Sequence, residues 1–240
     1  MELAEKLAEA FREKRRIEPE ELEISIEEAY ELQKRFAEKI GNQIGWKIGA
    51  SNEEVQKRLG INEPVFGRIL KETVIGRSAR LSDFILPVGI EVEIAFKFHR
   101  DPPEMSLSGI MASSKVAPAF ELINGVFTEN PSIQHLIVSN VRHSGVLFGD
   151  FRRCNFPLEH EEVVLFINGK EAGRGSGKNV LGHPAAPVLW LMERLERRGE
   201  RIRRGDLVIS GTMIPPVFVE EPSEIRASYS NLGELELSLS

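Results

Sequence analysis

The sequence predicts an α+β chain in which a helical amino-terminal region, residues 1–62, leads into a β-rich body, residues 63–240, within one structural unit. Three observations predict it. Apolar residues recur at helical spacing in two early segments that carry start and stop signals. Beyond residue 62 the chain turns to short β-branched and aromatic runs punctuated by Gly and Pro. Within that part, Gly89-Ile90-Glu91-Val92-Glu93-Ile94-Ala95-Phe96 alternates with the period of a strand.

Residues 2–15 read as a helix, because Leu3, Ala4, Leu7, Ala8 and Phe11 form one stripe. Pro19 falls in the turn that follows. A second helix starts at Ser25, whose offset from Glu28 is that of a capping box, and stops at Gly41. Gly45-Trp46-Lys47-Ile48-Gly49 reads as a strand. Ser51 with Glu54 suggests another capping box, opening a short helix that ends at Gly60. Strands are expected over 65–70, 90–98, 117–127, 135–139, 162–168, 206–210, 216–220 and 225–238, the last with a turn at Asn231–Gly233. Asn168-Gly169 marks a hairpin into a strand beginning near Lys170. One helix interrupts the strands, after His183-Pro184 and up to Gly199, with Val188, Leu189, Leu191, Met192 and Leu195 inward. Residues 99–115 are polar and rich in Gly and Pro. They read as a long loop, either a lid or a surface excursion.

Composition narrows the function. With 41% hydrophobic and 28% charged residues the chain has an ordinary soluble balance. A formal charge of −6 argues against nonspecific nucleic-acid binding, and the basic run Arg194–Arg204 reads as a solvated face. Cys154 is the only cysteine, which excludes an intrachain disulfide and suits a cytoplasmic setting. The amino terminus has no apolar signal core, and no run approaches the ~20 residues needed to span a bilayer.

On the alternating strand, Ile90, Val92, Ile94 and Phe96 share one face and Glu91 and Glu93 the other. Two carboxylates about 6–7 Å apart repel, and a hard divalent cation between them turns that repulsion into attraction. The plainer reading is a strand with a wet acidic face. Glu121 is a third carboxylate, set in the otherwise apolar run Val116–Ile123. With Glu91 and Glu93 it could complete a Mg²⁺ or Mn²⁺ site, although spacing does not make the two strands neighbours. Lys47 is the candidate catalytic cation or base. Its flanking glycines leave room for a ligand, and partial burial is expected to lower its pKa toward neutrality; the alternative is a surface lysine on an edge strand. Ser210-Gly211-Thr212 and Asn140 offer hydroxyl, amide and N–H groups to a substrate carboxylate, or simply form turns. The chain has no HExxH, GxSxG, Walker or GxGxxG motif. Gly173–Gly177 lacks the Lys-Ser/Thr of a phosphate loop.

Six stretches occur in an order that resembles one family. They are Gly45–Gly49, Pro64-Val65-Phe66-Gly67, Ile90–Phe96, Pro118-Ala119-Phe120-Glu121, Leu181-Gly182-His183-Pro184 and Ile209-Ser210-Gly211-Thr212. Together they are similar to the 2-keto-4-pentenoate hydratase / 2-oxo-3-hexenedioate decarboxylase family of the fumarylacetoacetate hydrolase superfamily, from about Ser25 to the Leu232-Gly233 turn. The resemblance implies a mixed β-roll (fumarylacetoacetase C-terminal-like) with amino-terminal helices. It implies Mg²⁺ or Mn²⁺ on Glu91, Glu93 and Glu121, an acid–base role for Lys47, and a small 2-oxo acid chelated through its carboxylate and 2-oxygen. It further implies aromatic catabolism, homo-oligomers, and hydratase–decarboxylase complexes. The chain departs from the family at Val65 and at Ser139, where the hydratases often carry Asp. Hydration of a 2-hydroxypenta-2,4-dienoate-like acid is therefore the first expectation and decarboxylation the second. A C–C hydrolase using His99 and Glu104, or a catalytically weakened partner subunit, are the other readings.

Overall fold

The structure, a computed structural model, describes residues 2–128 and 131–240. Helix α1 (Leu3–Arg12) buries Ala4, Leu7, Ala8 and Ala10, the expected stripe extended by one residue. Helix α2 (Ile26–Ile40) begins with the expected capping box: Ser25 Oγ accepts from Glu28 N–H while Glu28 accepts from Ser25 N–H. Strand β1 (Gln43–Gly49) follows, then helix α3 (Glu53–Leu59). The cap of α3 is Asn52 rather than Ser51: Asn52 Oδ1 accepts from the Glu54 amide at 2.8 Å. An Asn one residue later reaches the first turn equally well, and capping geometry favours it over Ser51.

The body continues with strands β2 (Val65–Leu70), β3 (Ser78–Ala79) and β4 (Val88–Phe98), helix α4 (Leu107–Ser113), strand β5 (Ser114–Ile123), helix α5 (Ile133–Val138) and strand β6 (His143–Phe148). It closes with strands β7 (Glu162–Ile167) and β8 (Lys170–Ser176), helix α6 (Ala185–Arg197), and strands β9 (Leu207–Ile209), β10 (Val217–Val219), β11 (Ser223–Tyr229) and β12 (Gly233–Leu239). Asn168 and Gly169 both take positive φ in the β7–β8 hairpin, as the Asn-Gly pair predicts.

Two sheets form. One runs in the order β2-β1-β9-β4-β5-β6, with β10 also paired to β4; the other runs β3-β12-β11-β7-β8. Ile90, Val92, Ile94 and Phe96 are fully buried in the main core together with Ile225, Tyr229 and Leu235 of the second sheet. Tyr229 Oη donates to the Glu93 carbonyl at 2.8 Å, tying the second sheet to the back of β4. The opposite face of β4 is also dry. Ile69, Ala95, Ala117, Ala119, Val146 and Ile209 are all fully buried there.

The expected α+β architecture is what the chain adopts, with four local corrections. Residues 135–139 are not a strand: they lie largely in α5, because Ser132 caps a helix whose apolar positions also satisfy helical spacing. Strand β5 starts at Ser114, earlier than expected, and takes over the end of the segment read as a loop. That segment also holds α4, capped by Ser106 and anchored by the buried Ile110. The basic run is partly paired, since Arg194 contacts Glu63 and Arg198 lies 2.6 Å from Glu31. Among the described residues no helix is long and apolar enough to cross a membrane.

Candidate metal centre

The β4–β5 register decides whether the three carboxylates meet. Glu91 stands directly opposite Glu121, and Glu93 opposite Ala119, so all three side chains project from one face of an antiparallel pair. One oxygen from each lies within 4.8 Å of the others. Glu93 and Glu121 are fully buried, which removes the reading of a wet acidic face. Ala95, Ala117 and Ala119 are fully buried on the same face.

The cluster is under-satisfied. Glu93 Oε1 is buried with no hydrogen-bond partner. Glu121 Oε2 lies 3.0 Å from Lys47 Nζ, an ion-pair distance, yet outside hydrogen-bond alignment. Buried carboxylate oxygens left open in this way are the donor set a hard divalent cation takes. The charges respond accordingly. Burial, and then the neighbouring Glu121 charge, push Glu91 up to about 8. Burial and the Glu121 and Glu91 charges push Glu93 well above the usual carboxylate range. Burial also acts to raise Glu121, but Lys47 and His143 outweigh it and hold that carboxyl below its ordinary value.

Lys47 is not on an edge. Strand β1 is interior, flanked by β2 and β9, and the side chain is only 2% exposed. Its Nζ donates to the Val141 carbonyl at 3.1 Å. The expected lowering of its pKa is reversed. Burial pulls it down, but Glu121, Glu91 and Glu93 together hold the ammonium charged and its pKa above the ordinary value. The flanking glycines serve the protein rather than a ligand. A Cβ on Gly45 would lie 2.0 Å from the Leu207 carbonyl oxygen, and one on Gly49 would lie 2.6 Å from Val141 Cγ1. The second of these would also sit 3.6 Å from both Lys47 Nζ and Val65 Cγ2, so Gly49 leaves no room for a side chain beside the lysine.

Three consecutive residues before β6 are left-handed: Asn140, Val141 and Arg142 have φ of 58°, 54° and 61°. For a β-branched residue this is a true outlier, costing roughly 1–2 kcal/mol. Asn140 holds the turn in place. Its Oδ1 accepts from Arg68 N–H at 2.7 Å and its Nδ2 donates to Arg68 O at 2.8 Å, extending the sheet beyond β2. Asn140, expected at the substrate, here bonds the Arg68 backbone through one N–H and one acceptor site of its amide. What the turn delivers is the Val141 carbonyl to Lys47 and His143 to Glu121.

Ser210-Gly211-Thr212 also faces inward. The Gly211 amide does donate to a carboxylate, but to Glu93 Oε2 at 2.7 Å. Thr212 Oγ1 accepts from the Val92 amide at 3.3 Å and donates to the Ile214 carbonyl. Ser210 is buried with its hydroxyl on the Gly211 carbonyl at 3.3 Å. The Gly211 amide therefore orients Glu93. His99 and Glu104 are not brought to the carboxylates. His99 lies six residues beyond Glu93, about 20 Å along an extended strand. Glu104 is hydrogen-bonded to Ser106 and Ser108 at the start of α4.

His143 and Thr73 escaped the sequence reading. His143 Nδ1 lies 2.8 Å from Glu121 Oε1 and its Nε2 2.8 Å from Thr73 Oγ1. No histidine motif marks it. Strand β6 itself is not among the expected strands, since His143–Phe148 does not alternate, and spacing does not encode the register shift near Leu122 and Ile123.

No family model matches the chain. Individual proteins do. The chain is 29% identical over 231 residues to a 2-oxo-hept-4-ene-1,7-dioate hydratase of Escherichia coli, covering 89% of this chain and 86% of the relative. It is 29% identical over 230 residues to a 2-hydroxyhexa-2,4-dienoate hydratase of Comamonas testosteroni, covering 89% and 87%. A 2-keto-4-pentenoate hydratase of Paraburkholderia xenovorans is 25% identical over 226 residues, covering 89% and 83%. Among solved structures, the 4-oxalocrotonate decarboxylase from Pseudomonas putida G7, complexed with magnesium and adipate, superposes with a TM-score of 0.90 at 23% identity, covering 99% of this chain and 96% of that one. These similarities bear out the resemblance read from the ordered motifs, and the last extends it to the whole fold.

Proposed function

We propose that this chain is a divalent-metal-dependent lyase of the 2-keto-4-pentenoate hydratase / 2-oxo-3-hexenedioate decarboxylase family, acting by hydration on a 2-hydroxydienoate acid such as 2-hydroxypenta-2,4-dienoate. The observation that carries this reading is the convergence of Glu91, Glu93 and Glu121 beside the buried Lys47. An ion of the Mg²⁺ or Mn²⁺ kind, held by the three carboxylates, would supply a Lewis acid for the 2-oxo or 2-enol oxygen and offset their charge. That offset would weaken what now holds Lys47 charged, the direction that acid–base work needs.

Lys47 then handles the protons. The dienol loses its hydroxyl proton and gains one at C5, giving the 2-oxo-3-enoate. Water adds at C4 and a proton arrives at C3, so the net change is addition of one water. Lys47 is 2% exposed, which keeps bulk water from its Nζ.

The same burial supports a second reading, decarboxylation of a 2-oxo-3-hexenedioate, in which CO₂ leaves and no water need be activated. Product analysis separates the two. With Mg²⁺ and 2-hydroxypenta-2,4-dienoate, we expect 4-hydroxy-2-oxopentanoate. Release of CO₂ from 2-oxo-3-hexenedioate without any hydration selects the second reading, and turnover of neither acid overturns both. We further propose a cytoplasmic homo-oligomer, able to associate with a partner hydratase or decarboxylase. A single cysteine and the exposed Phe218 on β10 support this.

Metal uptake is expected to be proton-linked. Glu91, at about 8, is largely protonated at pH 7 in the metal-free chain, and Glu93 is pushed in the same direction. Binding must strip those protons, so affinity falls by up to tenfold per group for each pH unit below about 8. The sign for stability is the reverse. A carboxyl with a raised folded-state pKa stabilises the metal-free fold below its ordinary value, and that contribution is lost as the pH climbs through about 8. Calorimetric Mg²⁺ titrations at pH 7, in buffers of different ionisation enthalpy, should report release of one proton or more. Identical heats in all buffers contradict the assignment.

A further inference from the structure

We propose that His143 is the positioning residue of this centre: pinned by Thr73, its imidazole occupies Glu121 Oε1 and leaves Oε2 alone for Lys47 and a metal, so that Glu121 binds through one oxygen. The inference rests on the functional reading above. It adds a residue that no motif points to.

The geometry is fully buried. The side chains of His143 and Glu121 are both 0% exposed, and Thr73 lies in the same dry layer. The ring nitrogens make one contact each, Nδ1 with Glu121 Oε1 and Nε2 with Thr73 Oγ1, both at 2.8 Å. A carboxylate only accepts, so Nδ1 carries a proton and donates it to Glu121. Thr73 is itself fixed, because its Oγ1 stands 2.9 Å from the Leu70 carbonyl at the end of β2. The ring therefore cannot turn without breaking both contacts. At the other end, the left-handed turn Asn140–Arg142 fixes where the His143 backbone enters β6. Strain stored immediately before a residue that does nothing would be hard to retain. Strain that aims an outer-shell partner at a ligand has a use.

The three carboxylates are thus positioned from different directions. Glu93 is held by the Gly211 amide and Glu121 by His143, each through one oxygen, and each keeps a second oxygen open. Glu91, half-buried, is the least constrained of the three.

Two amide substitutions separate positioning from bulk. In His143→Asn the amide nitrogen takes the place of Nδ1 and keeps the bond to Glu121. In His143→Gln it takes the place of Nε2 and keeps only Thr73. The probe is Mn²⁺ alone, followed by the paramagnetic resonance of the free ion, with the visible spectrum of bound Co²⁺ as a second signature. His143→Asn should bind Mn²⁺ within about threefold of the unchanged protein, whereas His143→Gln should bind about 10–100-fold more weakly and show an altered Co²⁺ spectrum. Equal affinities and spectra for the two variants overturn the proposal. If either fails to fold by circular dichroism, Thr73→Val decides: it leaves His143 in place but removes its pin, and unchanged Mn²⁺ affinity there overturns the proposal as well. If the unchanged protein does not bind Mn²⁺, the functional reading itself fails. If it binds and His143→Gln binds as well, only the role of His143 fails.

Discussion

Glu93→Gln is expected to remove Mg²⁺ binding and turnover together while leaving the metal-free fold intact. Glutamine copies the shape of glutamate and carries no charge. In the metal-free chain burial and the Glu121 and Glu91 charges disfavour a charge on Glu93, so removing that charge should cost the fold little. The Gly211 amide can still donate to the glutamine oxygen where it now donates to Glu93 Oε2. The midpoint of thermal unfolding without metal should therefore move little. Binding is a different matter, since one of three anionic ligands is lost and hard divalent cations are sensitive to ligand charge count. We expect Mg²⁺ affinity to fall by at least about 100-fold, and turnover of 2-hydroxypenta-2,4-dienoate with it. Calorimetry and a coupled absorbance assay read the two effects. A variant that keeps full activity would mean that the three carboxylates are a structural cluster and that the chemistry lies elsewhere.

Much of this was legible in the sequence because the patterns were local. Ser25 and Glu28 announce their helix, Asn168-Gly169 its hairpin, and the Ile90–Phe96 alternation both the strand and the shared face of Glu91 and Glu93. Glu121 stood out as a charge in an apolar run, but its position opposite Glu91 is a matter of register, which spacing within one strand does not encode. Asn140 and Gly211 are legible as polar groups, but their partners in the fold are not: the Arg68 backbone lies 72 residues from Asn140 and the Glu93 carboxylate 118 residues from Gly211. His143 was silent for a similar reason. Its role depends on a register shift, on a left-handed turn and on Thr73, none of which leaves a periodic trace. The error over Lys47 was one of electrostatics. Burial was rightly expected to lower its pKa, but three nearby carboxylates were not yet known to converge on it.

That convergence makes Lys47→Met the sharper test of mechanism. Methionine fills nearly the same buried volume and carries no titratable proton. If Lys47 moves protons at the substrate, kcat should fall by about 10²–10⁴-fold, the usual contribution of a positioned acid–base group. Metal binding should not fall with it. The lysine ammonium lies 3.0 Å from Glu121 Oε2 and competes with any cation for that oxygen, so its removal should leave Mn²⁺ affinity equal or tighter. Lys47→Arg should not restore activity, because a guanidinium does not give up its proton in a protein. Loss of turnover with metal retained is the opposite signature to that of Glu93→Gln, and the pair separates a residue that handles protons from one that holds the ion. If Lys47→Met instead loses metal and activity in parallel, the lysine is there to organise Glu121, and the acid–base group must be sought among the other residues facing the carboxylates.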